Sequence, residues 1–254
     1  MRVIFLGTGT STGVPEIGCK CEVCTSPNKK DKRLRASVLV HIQGRQILID
    51  CGPDFRQQML DKEFVKMDGV LISHEHYDHV GGLDDLRPFC RFGDVQLYTE
   101  DWVIKNLKMR IPYSFTENKY PGVPTFHLNE VKVDENFFIE DVEIKPIRLM
   151  HYKLPILGYR IKNFAYLTDL KYIPEEEYKK LENLDVLVMN ALRIGDHMSH
   201  QNLGEALENI KRISPKKTYL THMSHHIGLH EEVQKTLPPN VYLSYDGLEI
   251  DIND

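Results

Sequence analysis

The sequence has 254 residues, of which 41% are hydrophobic and 27% are charged, an ordinary globular composition. We expect one layered α/β domain spanning residues 1–254, because a chain of this length can form a single large core. The net charge of −5 argues against a protein that grips a polynucleotide through a broad basic surface.

The apolar runs and the cysteine content also indicate the cellular location. No apolar stretch approaches the roughly 20 residues that a membrane span needs. The apolar run at 3–6 stops at Gly7, which makes it too short for a signal-peptide core. Five cysteines, an odd number, fit a reducing compartment in which cysteines are free or bind metal. We therefore expect a cytoplasmic protein with no membrane partner.

Short β-branched or aromatic runs recur along the chain and predict strands, because each is bounded by turn residues or charges. In chain order they are 3–6, 37–42, 46–49, 69–72, 95–98, 142–147, 158–161, 165–167, 186–189, 218–220, 241–243 and 248–252. Gly44 indicates a tight hairpin between the second and the third of these strands.

Helical periodicity is less frequent, and it predicts helices at 174–181, 202–213 and 229–237. The second helix follows a candidate N-cap, Ser199 or Asn202, ahead of Glu205. Many strands with helices between the later ones predict two packed sheets flanked by helices. The stretch 110–129 is rich in proline and glycine, so we expect a long loop, either on the surface or over the site.

The strand at 69–72 is followed by a dense group of metal-binding residue types. They are His74, His76, Asp78 and His79. Buried neutral histidines are usually isolated and solvated loops rarely repeat imidazoles at alternate positions, whereas a metal site accounts for both features. The spacing indicates two metals, because His74 and His76 point the same way from an extended turn while Asp78 and His79 begin a helix.

Two catalytic metals need further ligands, since each normally takes about three from the protein. His151, Asp169 and His222 each follow the end of a predicted strand, the sheet edge at which sites of layered proteins collect. The two oxygens of the Asp169 carboxylate can bridge both metals. That arrangement leaves His151 on one metal and His222 on the other.

A second metal site is predicted in the loop after the first strand, at about 18–27. This loop carries three closely spaced cysteines: Cys19, Cys21 and Cys24. Three thiols in a polar loop are hard to bury as apolar groups, and thiolates favour zinc. A closed structural site needs a fourth ligand, for which His225 is the first candidate and His226 and His230 are alternatives.

The His-x-His-x-Asp-His run, the tripeptide Asp50-Cys51-Gly52 and the spaced downstream ligands together resemble the metallo-β-lactamase superfamily. The resemblance implies an αββα sandwich of two mixed sheets with helices on the outer faces. It also implies two catalytic ions of zinc, manganese or iron, with Asp50 as a supporting residue. The implied ligands are His74, His76 and His151 for the first metal, Asp78, His79 and His222 for the second, and Asp169 as the bridge.

The opening run at 7–15, the cysteine triplet and the residues around His222 and His225 resemble the PhnP-like branch, named for a phosphoribosyl cyclic phosphodiesterase. This branch implies a structural zinc held by the cysteines and His225. It also implies a general acid at His200, for which His197 is the nearby rival. The predicted catalytic residues are therefore His200 and the metal ligand Asp78.

The expected reaction is hydrolysis of a small cyclic phosphodiester, a ribosyl 1,2-cyclic phosphate or a 2′,3′-cyclic nucleotide, by a hydroxide shared between two metals. The partner is then a small molecule and not an extended nucleic acid. Superfamily members are often dimers, so a homodimer is one expected assembly. Three alternatives stay open: a transfer-RNA 3′-processing endonuclease, a thioester or lactone hydrolase, and a non-catalytic binding protein with this fold.

Overall fold

The computed structural model describes residues 1–253 and contains two mixed sheets of seven strands each. The strands of the first sheet are β1 (Arg2–Gly7), β2 (Ser37–Ile42), β3 (Arg45–Ile49), β4 (Gly69–Leu71), β5 (Val95–Thr99), β6 (Phe126–Glu130) and β14 (Glu249–Asp251). Their spatial order is β14-β1-β2-β3-β4-β5-β6. Neighbours from β14 to β3 run antiparallel, and neighbours from β3 to β6 run parallel.

The second sheet has the same division into an antiparallel and a parallel half. Its strands are β7 (Phe137–Ile139), β8 (Val142–His151), β9 (Leu154–Ile161), β10 (Phe164–Leu167), β11 (Val186–Asn190), β12 (Lys217–Thr221) and β13 (Val241–Leu243). The spatial order is β13-β12-β11-β10-β9-β8-β7, with parallel pairs from β10 to β13. Each run that the sequence predicts to be a strand overlaps one of these fourteen strands, so those predictions are confirmed.

The main core lies between the sheets, because alternate side chains of each strand point to opposite faces. In β1, Val3 and Phe5 pack into the layer between the sheets, whereas Ile4 and Leu6 pack under the outer helices. Strand β10 divides its side chains in the same way between the central layer and the other outer layer. Burial on both faces explains why these strands are continuous apolar runs in the sequence.

Helices cover the outer face of each sheet. The α-helices are α1 (Glu22–Thr25), α2 (Phe55–Met59), α3 (Tyr77–Val80), α4 (Asp101–Arg110), α5 (Leu203–Ile213) and α6 (His230–Thr236). The 3₁₀ segments are Lys29–Asp31, Leu83–Phe92, Pro112–Ser114, Glu175–Leu181 and His225–Ile227. Helices α2 and α4 pack on the first sheet and α5 and α6 on the second, which confirms the αββα sandwich. Within residues 1–253, no helix is long and apolar enough to cross a membrane.

The predicted helices are present with some changes. Helix α5 begins after Asn202 rather than Ser199, and its capping box pairs the Asn202 side chain with the Glu205 backbone N–H at 2.8 Å. The predicted helix at 229–237 is α6. The predicted helix at 174–181 is a 3₁₀ segment, Glu175–Leu181, which carries three glutamates at its start.

The predicted loop at 110–129 is only partly irregular. It contains the 3₁₀ turn Pro112–Ser114 and the beginning of β6, so the prediction is wrong for 126–129. Strand β6 is an edge strand in which the apolar Phe126 and Leu128 alternate with polar residues, and it therefore lacks a continuous apolar run. The Gly122 carbonyl accepts a hydrogen bond from Arg87 at 3.0 Å, which places this part of the loop beside the outer helical layer.

The glycine at the end of β1 permits close contact between backbone segments. A Cβ atom at Gly7 would lie 2.0 Å from the carbonyl oxygen of Arg35, whereas one at Gly204 in α5 would meet only Asn202 Oδ1, at 3.4 Å. We expect Gly7→Ala to lower the free energy of unfolding by about 3 kcal/mol or more, because backbone must shift. Gly204→Ala should raise it by about 0.5–1 kcal/mol through helix propensity. Denaturant unfolding of both variants tests this, and equal stability of the two would contradict it.

Candidate metal centres

The predicted metal ligands meet where strands of both sheets end. His74 follows β4, His151 ends β8, Asp169 follows β10 and His222 follows β12. Asp50 follows β3, and Asp50, Asp169 and His222 each take a left-handed backbone conformation, with φ of 62°, 57° and 55°. Such a conformation is unfavourable for non-glycine residues and tends to occur at functional sites. Two of these left-handed turns bring Asp169 Oδ1 and His222 Nε2 within 3.1 Å of each other.

Three histidines each present one ring nitrogen to the site because the other nitrogen is already hydrogen-bonded. The Nδ1 atom of His79 lies 2.7 Å from Asp50 Oδ2, and that of His151 lies 2.9 Å from the Ser199 carbonyl oxygen. The Nδ1 atom of His74 lies 3.0 Å from Ser73 Oγ, whose own hydroxyl donates to Asp50 at 2.9 Å. These acceptors favour the tautomer with hydrogen on Nδ1, which leaves the Nε2 lone pair for a metal.

Two carboxylates lie among these ring nitrogens. Asp169 Oδ2 lies 3.1 Å from His79 Nε2, and Asp169 Oδ1 lies 3.1 Å from His222 Nε2. Asp78 Oδ2 lies 3.2 Å from His79 Nε2 and 3.4 Å from His222 Nε2. The ligand atoms of Asp78, His79, Asp169 and His222 therefore form one compact group. Asp169 faces both His79 and His222, and its Oδ2 also accepts a hydrogen bond from the Thr168 hydroxyl at 2.6 Å.

The other predicted centre is more open. The rings of His74 and His76 are 4.5 Å apart between centroids, and those of His76 and His151 are 5.2 Å apart. His74 is fully buried, whereas His76 is half-buried and borders an open cavity. His151, Asp169 and His200 form a second compact group of ligand atoms. His200 was not predicted to be a ligand, but it lies as close to this centre as the predicted ligands do.

The ionisation states of these buried aspartates and histidines favour the binding of a cation. Burial alone would raise the pKa of Asp78 and Asp169, but their histidine neighbours outweigh it and hold both pKa values below the usual range. Burial lowers the pKa of His74, so that its imidazole is neutral at pH 7. Among residues 1–253, the Nε2 atom of His74 is buried without a hydrogen bond. Because uncompensated buried polar atoms are unfavourable and these donors are typical zinc ligands, the residues fit a metal pair.

Asp50 organises this cluster from behind. It is fully buried, and it accepts hydrogen bonds from the Ser73 backbone N–H at 2.8 Å, the Ser73 hydroxyl and the His79 ring. One carboxylate therefore orients two of the predicted ligands, His79 directly and His74 through Ser73. The supporting role of Asp50 was predicted, whereas Ser73 was missed, although its position directly before the histidine run was a usable signal.

The two histidines that are candidates for the general acid occupy different positions. The ring of His200 lies 4.5 Å from that of His151 and 5.0 Å from that of His222, and its Nδ1 lies 3.7 Å from Asp169 Oδ1. Burial lowers the pKa of His200 to about 3. His197 instead uses its Nδ1 to accept the backbone N–H groups of Ser199 and His200, both at 3.3 Å. His200 therefore faces the site, whereas His197 shapes the turn that carries it.

The three cysteines of the N-terminal loop meet His225. The Nδ1 atom of His225 lies 3.4 Å from Cys19 Sγ and 3.2 Å from Cys21 Sγ, and Cys24 completes the group. Hydrogen bonding with His225 lowers the pKa of Cys21 to about 6, which favours the thiolate that zinc binds. Glu16, which sequence reasoning missed, lies 3.3 Å from the other ring nitrogen of His225 and orients it. Three thiols around one imidazole fit a zinc ion.

The alternative fourth ligands lie elsewhere. The Nδ1 atom of His230 lies 3.4 Å from the Arg33 guanidinium, and the His230 backbone N–H donates to Asp31 at 2.8 Å. His226 stacks beside His225, at 4.0 Å between ring centroids. The cysteine loop is also joined to the active-site loop through the backbone, because Met223 donates to the Thr8 carbonyl at 2.9 Å. The N-terminal loop thus supports the segment that carries His222.

Comparison with known proteins places these features in a family. Residues 45–223 match a family profile described as "Beta-lactamase superfamily domain". A crystal structure of a new diphosphatase from the PhnP family is 36% identical, with a TM-score of 0.92 over 99% of this chain and 98% of that chain. Ribonuclease Z from Bacillus licheniformis is 26% identical over 87% of this chain and 75% of that protein.

One further relative is longer than this chain. An octanoyltransferase from Porphyromonas gingivalis (strain W83) is 47% identical over 256 residues, which cover 100% of this chain and 52% of that protein. The chain therefore spans about half the length of this relative. The name octanoyltransferase describes the longer protein.

The role of Asp50 can be tested by removing one acceptor. Asp50→Asn replaces one acceptor oxygen by an NH2 donor and removes the negative charge, so the side chain can no longer accept at both positions from Ser73 and His79, and we expect metal affinity to fall about 10- to 100-fold. Competition with a chelator measures this affinity. Asp68→Asn is the control, because Asp68 is also buried and accepts the Gln46 backbone N–H at 2.9 Å, away from the cluster. Unchanged affinity in Asp50→Asn would remove Asp50 from the site.

The cysteine site predicts a specific loss of metal. Cys21→Ser should lower bound zinc by about one equivalent and lower the melting temperature, because a structural zinc site contributes folding free energy. Elemental analysis and thermal unfolding measure the two effects. Cys90→Ser is the control, since Cys90 lies outside the cluster and its thiol forms hydrogen bonds only with backbone atoms. Full zinc content in Cys21→Ser would show that the cysteines hold no metal.

Proposed function

The chain belongs to the β-lactamase superfamily, in its PhnP-like branch, and from this premise we propose that it is a binuclear metal-dependent phosphodiesterase. The proposed substrates are small cyclic phosphodiesters, either a ribosyl 1,2-cyclic phosphate or a 2′,3′-cyclic nucleotide. The observation that carries the proposal is the meeting of His200 with the buried Asp and His cluster. The likeness to a diphosphatase, another enzyme of phosphorus chemistry, supports it.

Bound metals would supply an activated water at neutral pH and offset the charge that develops on the phosphoryl oxygens. The proposed ligands are His74, His76 and His151 at one centre, Asp78, His79 and His222 at the other, and Asp169 between them. The proposed metals are zinc, manganese or iron, with one structural zinc on the cysteines and His225. The hydrogen bonds to Asp50, Ser73 and Ser199 hold three of these imidazoles in place before substrate binds.

His200 is proposed to protonate the departing oxygen. Its ring lies against both halves of the cluster, within reach of a group bound between them. Burial lowers its pKa, and the negative charge of a bound phosphodiester acts in the opposite direction by favouring the protonated imidazole. The proton is then available where the leaving alkoxide forms, which matters most for leaving groups of high pKa.

The second candidate is an acyl-thioester hydrolase, and one observation favours it. The relative that is 47% identical over this whole chain carries a name from acyl transfer, although half of that protein lies outside the match. A ribonuclease Z-like endonuclease is less favoured, because the net charge of −5 does not suit an RNA-gripping surface. Substrate assays separate these candidates directly.

The proposal predicts about three metal equivalents per chain and metal-dependent hydrolysis of bis-para-nitrophenyl phosphate and a 2′,3′-cyclic nucleotide. Elemental analysis and steady-state assays, with octanoyl-coenzyme A in parallel, measure both properties. Chelation should abolish activity and added metal should restore it. Turnover of the thioester without turnover of either phosphodiester would overturn the phosphodiesterase assignment in favour of the second candidate.

The acid role of His200 predicts a dependence on the leaving group. His200→Ala should lower turnover of the cyclic nucleotide by about 10²–10³-fold, but that of bis-para-nitrophenyl phosphate by less than about tenfold, because nitrophenolate departs without a proton. His127→Ala is the control, because His127 is an exposed histidine on β6, away from the cluster. Metal content should be unchanged in both variants. Loss of one metal equivalent in His200→Ala would instead identify His200 as a ligand.

A further inference from the structure

The predicted metal cluster opens to the surface through one cavity of about 470 Å³. Its walls include His76 and His151 on the metal side and Tyr152, Lys153 and Leu154 on the outer side. The cavity lies within the size range of small-molecule sites. The side chains of the outer wall are not among the proposed metal ligands.

The outer wall is the turn between β8 and β9. His151 pairs with Leu154, so Tyr152 and Lys153 form a two-residue hairpin turn. Tyr152 has a φ of 57°, at a turn position that favours Gly, Asn or Asp. A tyrosine there is unfavourable for the backbone, and the side chain does not recover that cost by burial, because 47% of it is exposed. Folding therefore does not explain the choice of tyrosine.

The surroundings of the ring suit a planar ligand with a negative charge. The Lys153 ammonium lies 5.4 Å from the centroid of the Tyr152 ring, which places a cation and an aromatic face together at the cavity entrance. Glu75 also lines the cavity, and among residues 1–253 its buried Oε2 has no hydrogen-bond partner. A hydroxyl group of a ligand would satisfy that carboxylate oxygen.

We propose that Tyr152 determines substrate specificity by stacking on the base of a nucleoside moiety, while Lys153 attracts the phosphate. This inference rests on the proposed phosphodiesterase function and selects the nucleotide over the base-free ribosyl phosphate as the preferred substrate. An aromatic side chain stacks on any of the bases, so the preference is for a base as such and not for one sequence. Glu75 then accepts a hydrogen bond from a sugar hydroxyl.

The test compares Tyr152→Gly and Tyr152→Phe on two substrates, 2′,3′-cyclic AMP and a ribose cyclic phosphate without a base. We expect wild type and Tyr152→Phe to prefer the nucleotide in kcat/KM. Tyr152→Gly should lower that preference about five- to tenfold, mainly through KM, and leave kcat/KM for the base-free substrate within about twofold. Calorimetric binding of the product, adenosine monophosphate, should weaken by the same factor.

The stability of the same variants separates recognition from a structural role. Tyr152→Gly should keep or raise the melting temperature, since glycine accepts a positive φ. Lys162→Gly is the matched control, because Lys162 has a φ of 50° in the hairpin at the opposite end of β9 and does not line the cavity. It should show the same stability response with no change in substrate preference.

The outcomes distinguish the two proposals. An unchanged nucleotide preference in Tyr152→Gly, with wild type hydrolysing both phosphodiesters, would overturn the role of Tyr152 and leave the phosphodiesterase function standing. A large fall in melting temperature with equal losses on both substrates would show that the tyrosine serves the turn alone. If metal-loaded wild type hydrolyses neither phosphodiester, the proposed function fails and this inference fails with it.

Discussion

The structure depends on one electrostatic constraint: acidic and imidazole groups are buried together in an arrangement that suits a bound cation. Asp78 and Asp169 are almost fully buried, and their oxygens face ring nitrogens of His79 and His222 rather than a lysine or an arginine. Taking such groups out of water is costly unless they are paired or bind a metal. The hydrogen bonds to Ser73, Asp50 and Ser199 orient three histidine rings so that their Nε2 lone pairs are available to that cation.

The parallel half of each sheet brings these buried groups together. Strands β3 and β4 of one sheet and β10 to β12 of the other end at the same edge, so residues distant in sequence meet there. Asp50, Asp169 and His222 leave their strands with left-handed backbone conformations, which turn the side chains inward. The antiparallel half of the second sheet contributes the opposite wall, in which the β8–β9 hairpin carries both His151 and the entrance residue Tyr152.

The N-terminal loop gives the site a second support. Its cysteines gather on His225, and the buried Arg33 donates to the Thr8 hydroxyl at 2.9 Å and the Ser244 carbonyl at 2.8 Å. Burial lowers the pKa of Arg33 to about 10, which leaves the guanidinium charged at neutral pH. These contacts join the start of the chain to the segments after β12 and β13. A structural zinc there would fix the loop of His222 without taking part in the reaction.

Much of this protein could be predicted from the sequence alone, because it depends on residues within a few positions of one another. The apolar runs predicted the strands because both faces of each sheet are buried, and the histidine spacing predicted ligands because it is set within one turn. Tertiary structure decided what depends on distant contacts: Cys19 meets His225 across 206 positions, and Asp78 meets His222 across 144. It also placed His200 rather than His197 against the cluster, and it showed the edge strand β6, which lacks a continuous apolar run. Periodicity and turn chemistry are local properties, whereas the partner of a side chain is fixed only when the sheets pack.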